Sequence, residues 1–331
     1  MKCKINNINI TAISCAYPRE KFDLITLAET FGESEVKRII NSTGISSVRR
    51  SKNSNLRASD LCWMAAEKLL SETNIPAETI DGIIFVSQTP DQKMPATSIQ
   101  LQKRLGLSKE TVTLDANYGC SGYVYGLYLA STLIAGGGCK RVILCAGDVI
   151  TPHLNPLDKS VRFVFGDGAS ATLIEKGDST MSFITKTNGE GADFLKLENG
   201  ANEYLYMDGA KVMEFALAEV PLIVEDILGY HAWSKEEVGT FALHQPNVFM
   251  LNYLRKKMKL ETAAVPIAVD GIGNTSSASI PMVLSHHHAA LKAENRLKKV
   301  VLCGFGVGLS WGACALDLSN TTILSPYEYP I

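Results

Sequence analysis

Two stretches of this chain are repeated later at nearly the same spacing, and this duplication constrains the fold more than any other feature. The apolar run at residues 81–86 is matched at 238–243, and the run at 140–147 is matched at 298–305. Both matches are about 155–160 residues apart, which predicts a doubled structural unit. Apolar runs of this kind are typical of strands buried on both faces, as in a mostly parallel sheet covered by helices.

Segments with helical periodicity alternate with these strands, and they lie at residues 58–71, 120–136, 210–228, 248–260 and 276–295. The segment that begins at Ser276 is the counterpart of the one that begins at Cys120, at the same spacing as the strands. Strand and helix alternating twice over predict a layered α/β fold with two similar halves. We place the halves at residues 1–176 and 177–331.

Composition excludes several classes of function. The net charge of −2 and the pI near 6.3 argue against a protein that binds nucleic acid or coats an anionic membrane. No apolar run approaches the roughly 18–20 residues that span a bilayer. The 8 cysteines form no CxxC pair, which indicates reduced thiols and a cytoplasmic protein.

Cys120 is the first candidate for chemistry. It follows a strand-like run and precedes a long apolar segment rich in small residues, with Gly119 and Gly122 on either side. A thiol at a helix start faces unpaired backbone N–H groups and the positive end of the helix dipole, which favour the nucleophilic thiolate. The alternative is a buried cysteine that packs as a small hydrophobe.

The duplication brings two more polar residues into consideration. His244 follows the strand at 238–243, and α/β folds tend to place ligand sites at such carboxyl ends. Asn274 precedes the second central helix, at a position analogous to that of Cys120. Each has a simpler interpretation, His244 as a strand-end polar residue and Asn274 as a helix cap. A twofold relation between the halves would bring all three residues to one site.

A set of ordered motifs resembles the thiolase superfamily and, within it, the β-ketoacyl-acyl-carrier-protein synthase III family. The motifs are Thr-Gly-Ile at 43–45, Gly-Cys-Ser-Gly-Tyr at 119–123, Phe-Gly-Asp-Gly-Ala at 165–169, His-Gln-Pro-Asn at 244–247, Gly-Asn-Thr-Ser-Ser-Ala-Ser at 273–279 and Gly-Phe-Gly-Val-Gly-Leu-Ser-Trp-Gly at 304–312. The resemblance covers essentially the whole chain. It implies a five-layered α-β-α-β-α fold built from two duplicated halves, and a homodimer.

The resemblance also implies a reaction. Cys120 would take an acyl group from a coenzyme A thioester, and the backbone amides of Cys120 and Val307 would stabilise the oxyanion. A malonyl-acyl carrier protein would then lose carbon dioxide, with His244 and Asn274 as neutral donors to the enolate. Met94, contributed by the dimer partner, and Phe305 are expected in the acyl pocket. The only coenzyme expected is the thioester substrate, with no permanently bound cofactor and no metal.

The expected coenzyme A and carrier site departs from the family pattern. Many relatives have a tryptophan shortly before Thr-Gly-Ile, whereas this chain has none there, and Arg38 is the candidate to stack in its place. Lys159 and Phe249 stand where arginines are common. The residues that we expect to bind coenzyme A or the acidic carrier are Arg38, Lys159, Phe249, Arg255, Lys256 and Lys257.

Two other functions stay open for a chain with this sequence. The same fold could transfer an acyl group from Cys120 to an alcohol or an amine, for instance on a sugar. It could also be a non-catalytic partner subunit, although all three catalytic residue types are present. A true thiolase would use a second cysteine where Gly304 stands, one residue from Cys303.

Overall fold

The computed structural model describes residues 1–51, 55–197 and 204–330. Its helices are α1 (Ala28–Phe31), α2 (Glu33–Thr43), α3 (Ala58–Thr73), α4 (Thr97–Arg104), α5 (Gly122–Ala135), α6 (Lys159–Arg162), α7 (Gly209–His231), α8 (Val248–Lys257) and α9 (Ser279–Ala293). Its strands are β1 (Lys2–Pro18), β2 (Lys21–Asp23), β3 (Ser47–Arg49), β4 (Gly82–Val86), β5 (Val112–Ala116), β6 (Arg141–Asp148), β7 (Gly168–Thr187), β8 (Leu195–Leu197), β9 (Leu205–Met207), β10 (Thr240–Leu243), β11 (Val300–Gly306), β12 (Ser310–Leu316), β13 (Thr322–Ile323) and β14 (Tyr327–Tyr329).

The five helices expected from periodicity are present as α3, α5, α7, α8 and α9. The two central helices begin later than the pattern indicated. Helix α5 begins at Gly122, so Cys120 lies in the turn before it, and a 3-10 turn over Ser276–Ala278 precedes α9. Nowhere in the described ranges is there a helix with the length and apolar character needed to cross a membrane.

The main sheet joins both halves of the chain. Its strand order is β10-β11-β12-β7-β6-β4-β5, and β1 pairs with β7, β13 and β14. Strand β4 is parallel to β5 and β6, and β10 is parallel to β11, whereas β7 runs antiparallel to β1, β6 and β12. The sheet is therefore mixed, and its parallel part is the part whose carboxyl ends lead to the candidate residues.

The layers follow from how the apolar side chains pack. One buried cluster combines Tyr123 and Leu127 of α5 with Ile280 of α9, Ile84 of β4 and Leu302 of β11. Because this cluster draws on both halves, α5 and α9 lie between the two halves of the sheet. Separate clusters place α3 and α4 on the outer face of the N-terminal half and α7 and α8 on that of the C-terminal half. The five-layered α-β-α-β-α architecture is thus confirmed.

The boundary placed between residues 176 and 177 falls inside one long strand. The first part of β7 pairs with β6 up to Glu175, and its last part pairs with β12 from Ser182 onward. The strand therefore changes its neighbour from one half to the other close to that boundary. The division into two halves stays a prediction.

The central layer makes a first testable prediction. Leu127 is fully buried in α5, so Leu127→Ala should lower the free energy of unfolding by about 2–5 kcal/mol. Leu222 on α7 is 53% exposed, and Leu222→Ala should change it by less than about 0.5 kcal/mol. Chemical denaturation of both variants checks this; equal effects would show that α5 is not in the core.

Candidate active site

Cys120 lies in a tight turn between β5 and α5. The N–H of Gly122 donates to the carbonyl oxygen of Gly119 at 2.7 Å, which closes the turn around the cysteine. Only 5% of Cys120 is exposed. A Cβ atom on Gly306 would lie 2.7 Å from the Cys120 Cβ and 3.0 Å from Sγ, so only glycine allows β11 to pass this close to the sulfur.

The thiol does not have the low pKa that a helix start would favour. Burial, together with the nearby charge of Asp148, raises the pKa of Cys120 to about 12. Hydrogen bonds from the Ser276 side chain and from the backbone N–H groups of Cys120 and Val307 oppose this increase without reversing it. The expectation of a resting thiolate was therefore wrong, because the loss of hydration outweighs the donors near the helix.

His244 continues from the carboxyl end of β10, as the sequence indicated. Its backbone N–H donates to the carbonyl oxygen of Cys303 at 2.8 Å, which extends the pairing with β11. Its Nδ1 lies 2.6 Å from the Oγ of Ser279, and the edge-to-face ring of Phe305 is 5.4 Å away. Burial lowers the pKa of His244 to about 3, so the imidazole is neutral at physiological pH.

Asn274 is held by backbone pairing to the loop before β7. Its N–H donates to the carbonyl oxygen of Val164 at 2.8 Å, and its own carbonyl oxygen accepts from Gly166 at 3.1 Å. Its side-chain Oδ1 accepts from the N–H of Ser276 at 2.9 Å. Thr275 and not Asn274 is the cap of the 3-10 turn, so the helix-cap interpretation was wrong. The bond to Ser276 leaves the side-chain NH₂ group of Asn274 as the donor.

Cys120, His244 and Asn274 line one cavity, which has a volume of ≈ 270 Å³. Most of its other walls are apolar, including Phe163, Val212 and Met250. One floor thus carries a sulfur, a neutral imidazole and a carboxamide, which come from three different loops.

A second cavity, with a volume of ≈ 720 Å³, also has Cys120 in its wall and shares Phe165 and Leu195 with the first. Val307 lines it, and the Val307 N–H contacts the sulfur. The two amides expected to form the oxyanion hole therefore both reach Cys120. A thioester at this sulfur could have one arm in each cavity.

Four polar residues at this site were not found from the sequence: Asp148, Ser276, Ser279 and Gln88. Asp148, like His244, lies at the carboxyl end of a parallel strand, since it is the last residue of β6, which pairs with β4. The sequence argument used for His244 therefore applies to it as well. Ser276 has φ of +51°, a conformation that is strained for any residue but glycine. No local pattern predicts such a backbone, so its contact with Cys120 could not be foreseen.

The two residues expected in the acyl pocket lie in different places. Phe305 lines the smaller cavity beside His244. Met94 is 81% exposed and is absent from the walls of both cavities. In a dimer, Met94 of one subunit would line the acyl pocket of the other. This role stays a prediction.

The cations expected to bind coenzyme A share one acidic partner. Glu35 binds Nε and Nη2 of Arg38 at 2.8 and 2.9 Å, and it binds Nζ of Lys159 at 3.0 Å. Lys159 lines the smaller cavity. The hydrogen bonds from Arg38 and Lys159 lower the pKa of Glu35 to about 2, so its charge is present throughout the physiological range.

The remaining candidates lie on α8, beside the smaller cavity. Phe249 is 52% exposed and does not line that cavity, whereas its neighbour Met250 does. Lys256 and Lys257 are exposed, and Lys257 Nζ donates to the carbonyl oxygen of Leu217 at 2.7 Å. Nη1 of Arg255 donates to the carbonyl oxygen of Leu260 at 3.4 Å. These roles in carrier binding stay predictions.

Known proteins resemble this chain in sequence along nearly its whole length. Residues 114–190 match the family model of 3-oxoacyl-[acyl-carrier-protein (ACP)] synthase III, and residues 228–318 match the model of its C-terminal region. A putative 3-oxoacyl-[acyl-carrier-protein] synthase 3 of Campylobacter jejuni is 30% identical, over 97% of this chain and 96% of the relative. The chain belongs to the 3-oxoacyl-[acyl-carrier-protein] synthase III family. Another member, the β-ketoacyl-[acyl-carrier-protein] synthase III of Lactococcus lactis, is 33% identical over 85% of this chain and 90% of the relative.

Solved structures of synthase III family members have the same fold. The 3-oxoacyl-(acyl-carrier protein) synthase of Burkholderia xenovorans superposes with a TM-score of 0.94 at 34% identity, over 99% of both chains. A synthase III from Pseudomonas aeruginosa gives a TM-score of 0.85 at 27% identity, over 98% of this chain and 100% of the other. The thiolase-like fold expected from the motifs is therefore confirmed.

The raised pKa of Cys120 makes a second prediction. With a pKa near 12, the thiolate fraction grows tenfold per pH unit, so alkylation of Cys120 by iodoacetamide should accelerate about tenfold per unit from about pH 7 to 9. Glutathione, an ordinary thiol, is the control, and its rate should rise less and less steeply as the pH passes the ordinary thiol pKa of about 8.5. Mass mapping of the alkylated peptide gives the rate. A rate for Cys120 that is flat over this range would mean that the resting enzyme holds a thiolate.

Proposed function

We propose that this protein is a 3-oxoacyl-[acyl-carrier-protein] synthase III that forms a carbon–carbon bond in fatty-acid or related biosynthesis. Cys120 takes an acyl group from acyl-coenzyme A, and a malonyl-carrier protein then condenses with it. The observation that carries the proposal is the convergence of Cys120, His244 and Asn274 on one cavity. The names of the family relatives, which describe synthases that act with an acyl carrier protein, support it.

The first step is transfer of the acyl group between two sulfur atoms. The Cys120 sulfur attacks the thioester carbonyl, and the thiol proton that it loses is balanced by the proton that the leaving thiol gains. Negative charge develops on the carbonyl oxygen, and the N–H groups of Cys120 and Val307, which already reach the sulfur, are placed to stabilise it. Because these donors belong to the backbone, they need no reorganisation during the reaction.

The second step needs donors for an enolate, and His244 and Asn274 provide them. Loss of carbon dioxide from the malonyl group leaves an enolate, which attacks the acyl-Cys120 carbonyl. The carbon–sulfur bond then breaks, and the released Cys120 thiolate takes a proton from water to restore the thiol. The Ser279 hydroxyl donates a hydrogen bond to Nδ1 of His244, so the ring carries its own proton on Nε2. The low pKa of His244 keeps the ring neutral. Asn274 has its Oδ1 occupied and its NH₂ group available. A carboxylate in either place would repel the enolate.

Three variants test which of these residues serves acyl loading and which serves condensation. Cys120→Ala should abolish acyl loading, whereas His244→Ala and Asn274→Ala should load the acyl group but lower the condensation rate by about 10²–10³. Intact-protein mass spectrometry detects loading, and product analysis with a malonyl-carrier protein detects condensation. Cys314→Ala, which changes a buried thiol that lines neither cavity, is the control.

The outcomes of this experiment separate the functions. An acyl-enzyme that discharges only to a hydroxyl or an amine would identify an acyltransferase. A wild-type protein that never forms an acyl-enzyme would indicate a non-catalytic subunit. Normal loading and condensation by all three variants would refute the assignment.

The carrier and the coenzyme are proposed to approach through the smaller cavity. Lys159 lies in its wall, and the exposed side chains of Lys256 and Lys257 extend the positive charge along α8. An acidic carrier protein suits such a surface, because complementary charge speeds encounter. For coenzyme A, the phosphates would compete with Glu35 for Arg38 and Lys159.

We also propose that the protein is a homodimer that forms along β5. This strand ends the main sheet, and Val112 and Leu114 on it are 44% and 39% exposed. Met94 and Ile99 add further exposed apolar surface at 81% and 47%. An unpaired apolar edge strand favours pairing with a second copy. Such a dimer would lie beside Cys120, because β5 leads directly into its turn.

The dimer makes its own prediction. Leu114→Glu places like charges on facing strands and should weaken dimerisation by about 100-fold or more. Leu222→Glu, an equally drastic change on the exposed face of α7, should leave the dimer intact. Sedimentation velocity over a dilution series measures both; a monomeric wild type, or no difference between the variants, would reject this interface.

Cytoplasmic localisation and the absence of a resident cofactor are proposals too. All eight cysteines are free thiols, which suits a reducing compartment. The side chains and backbone amides described above supply every group that the two steps use.

A further inference from the structure

Gln88 is a polar side chain next to the nucleophile that the two steps above do not use. It leaves the carboxyl end of β4, and its backbone N–H donates to Oδ1 of Asp148 at 2.7 Å. This bond holds the Gln88 backbone in place and so fixes the point from which its side chain extends. From there the carboxamide extends over Gly119, the residue directly before Cys120.

The packing over Gly119 shows how close this contact is. A Cβ atom on Gly119 would lie 2.2 Å from Oε1 of Gln88 and 2.9 Å from Cγ1 of Val307. A larger residue here would push the end of the Gln88 side chain aside and press against the β-branched Val307. Since consecutive Cα atoms are about 3.8 Å apart, the Gln88 carboxamide lies within reach of the first carbons of an acyl group on Cys120.

The carboxamide of Gln88 is half-buried and has no hydrogen-bond partner among residues 1–51, 55–197 and 204–330. Both Gln88 and Cys120 line the larger cavity. Thr89 beside it is already occupied, because its hydroxyl bonds to Asp148 and to the N–H of Val149. Gln88 is therefore free to bond to whatever occupies this cavity.

Part of the lining of the larger cavity is apolar, beside polar residues such as Asn117 and Ser276. The apolar part is formed by the buried side chains of Ile150, Phe165, Leu195 and Leu205. A volume of ≈ 720 Å³ is sufficient for a chain of several carbons. The occupant that fits has an aliphatic body against these apolar side chains and one hydrogen-bonding group near the thioester, toward Gln88.

We propose that the acyl group carried by Cys120 bears a polar substituent on its second or third carbon, such as a hydroxyl, and that Gln88 recognises it. The inference rests on the proposed function, because it concerns the acyl group of the first step. A plain alkyl chain would remove water from the Gln88 carboxamide without replacing its hydrogen bonds. Such an unpaired group disfavours that substrate, and we expect a preference of about 10-fold for the hydroxylated one.

The experiment is a competition for Cys120. Equimolar butyryl- and racemic 3-hydroxybutyryl-coenzyme A are mixed with the protein, and intact-protein mass spectrometry measures the initial ratio of the two adducts, which differ by one oxygen atom. Loading with acetyl-coenzyme A is measured separately as a reference. The wild type should favour the hydroxybutyryl adduct by about 10-fold.

Gln88→Met keeps the length of the side chain and removes its hydrogen bonding. It should bring the ratio close to one and lower hydroxybutyryl loading more than acetyl loading. Gln92→Met is the matched control, since this exposed glutamine lines the same cavity farther along the loop. It should keep the wild-type preference.

Three results would overturn the inference. Equal loading of the two four-carbon groups by the wild type would show that the cavity does not recognise the hydroxyl substituent. An equal loss of acetyl and hydroxybutyryl loading in Gln88→Met would show that Gln88 serves the thioester itself. Failure of the wild type to load even acetyl would refute the proposed function, and this inference with it.

Discussion

The carboxylate of Asp148, whose charge acts on the nucleophile Cys120, accepts hydrogen bonds from both halves of the chain. From the N-terminal half it receives the Ser87 hydroxyl at 3.1 Å and the Gln88 N–H at 2.7 Å. From the C-terminal half it receives the Ser277 hydroxyl at 2.9 Å. Because an unpaired buried carboxylate is very costly, these donors cannot separate without a large loss of stability. The loops that carry Asn274 and Gln88 are thereby fixed relative to Cys120.

Burial around this carboxylate sets the protonation state of each reactive group. It raises the pKa of Asp148 and of Cys120, and it lowers the pKa of His244. The same loss of water that keeps the cysteine protonated at rest keeps the imidazole neutral. A neutral ring suits a donor to an enolate, whereas a charged ring would be costly to bury. One physical cause, the exclusion of water, thus acts in opposite directions on an acid and a base.

The two cavities that meet at Cys120 have different linings. The smaller one, with His244 and Asn274, is largely apolar and has Lys159 in its wall, paired with Glu35. The larger one has both apolar and polar lining residues, and the Gln88 side chain lies over Gly119, the residue before Cys120. An acyl thioester has the same division, since its carrier arm and its acyl chain leave the carbonyl carbon in different directions. The turn that holds Cys120 lies where these two spaces meet.

The sequence by itself determined the repeated order of strands and helices, because burial on both faces of a strand leaves an apolar run that can be read locally. It also pointed to Cys120, His244 and Asn274, since the ends of repeated elements occupy equivalent places. The direction in which β7 pairs, the strained backbone of Ser276 and the position of Gln88 over Gly119 came only from the tertiary structure. The protonation state of Cys120 also came only from the tertiary structure, because its position before a helix predicts a lower pKa than burial gives it. Desolvation depends on how many atoms from distant segments surround a group, and no local pattern of residues encodes that number.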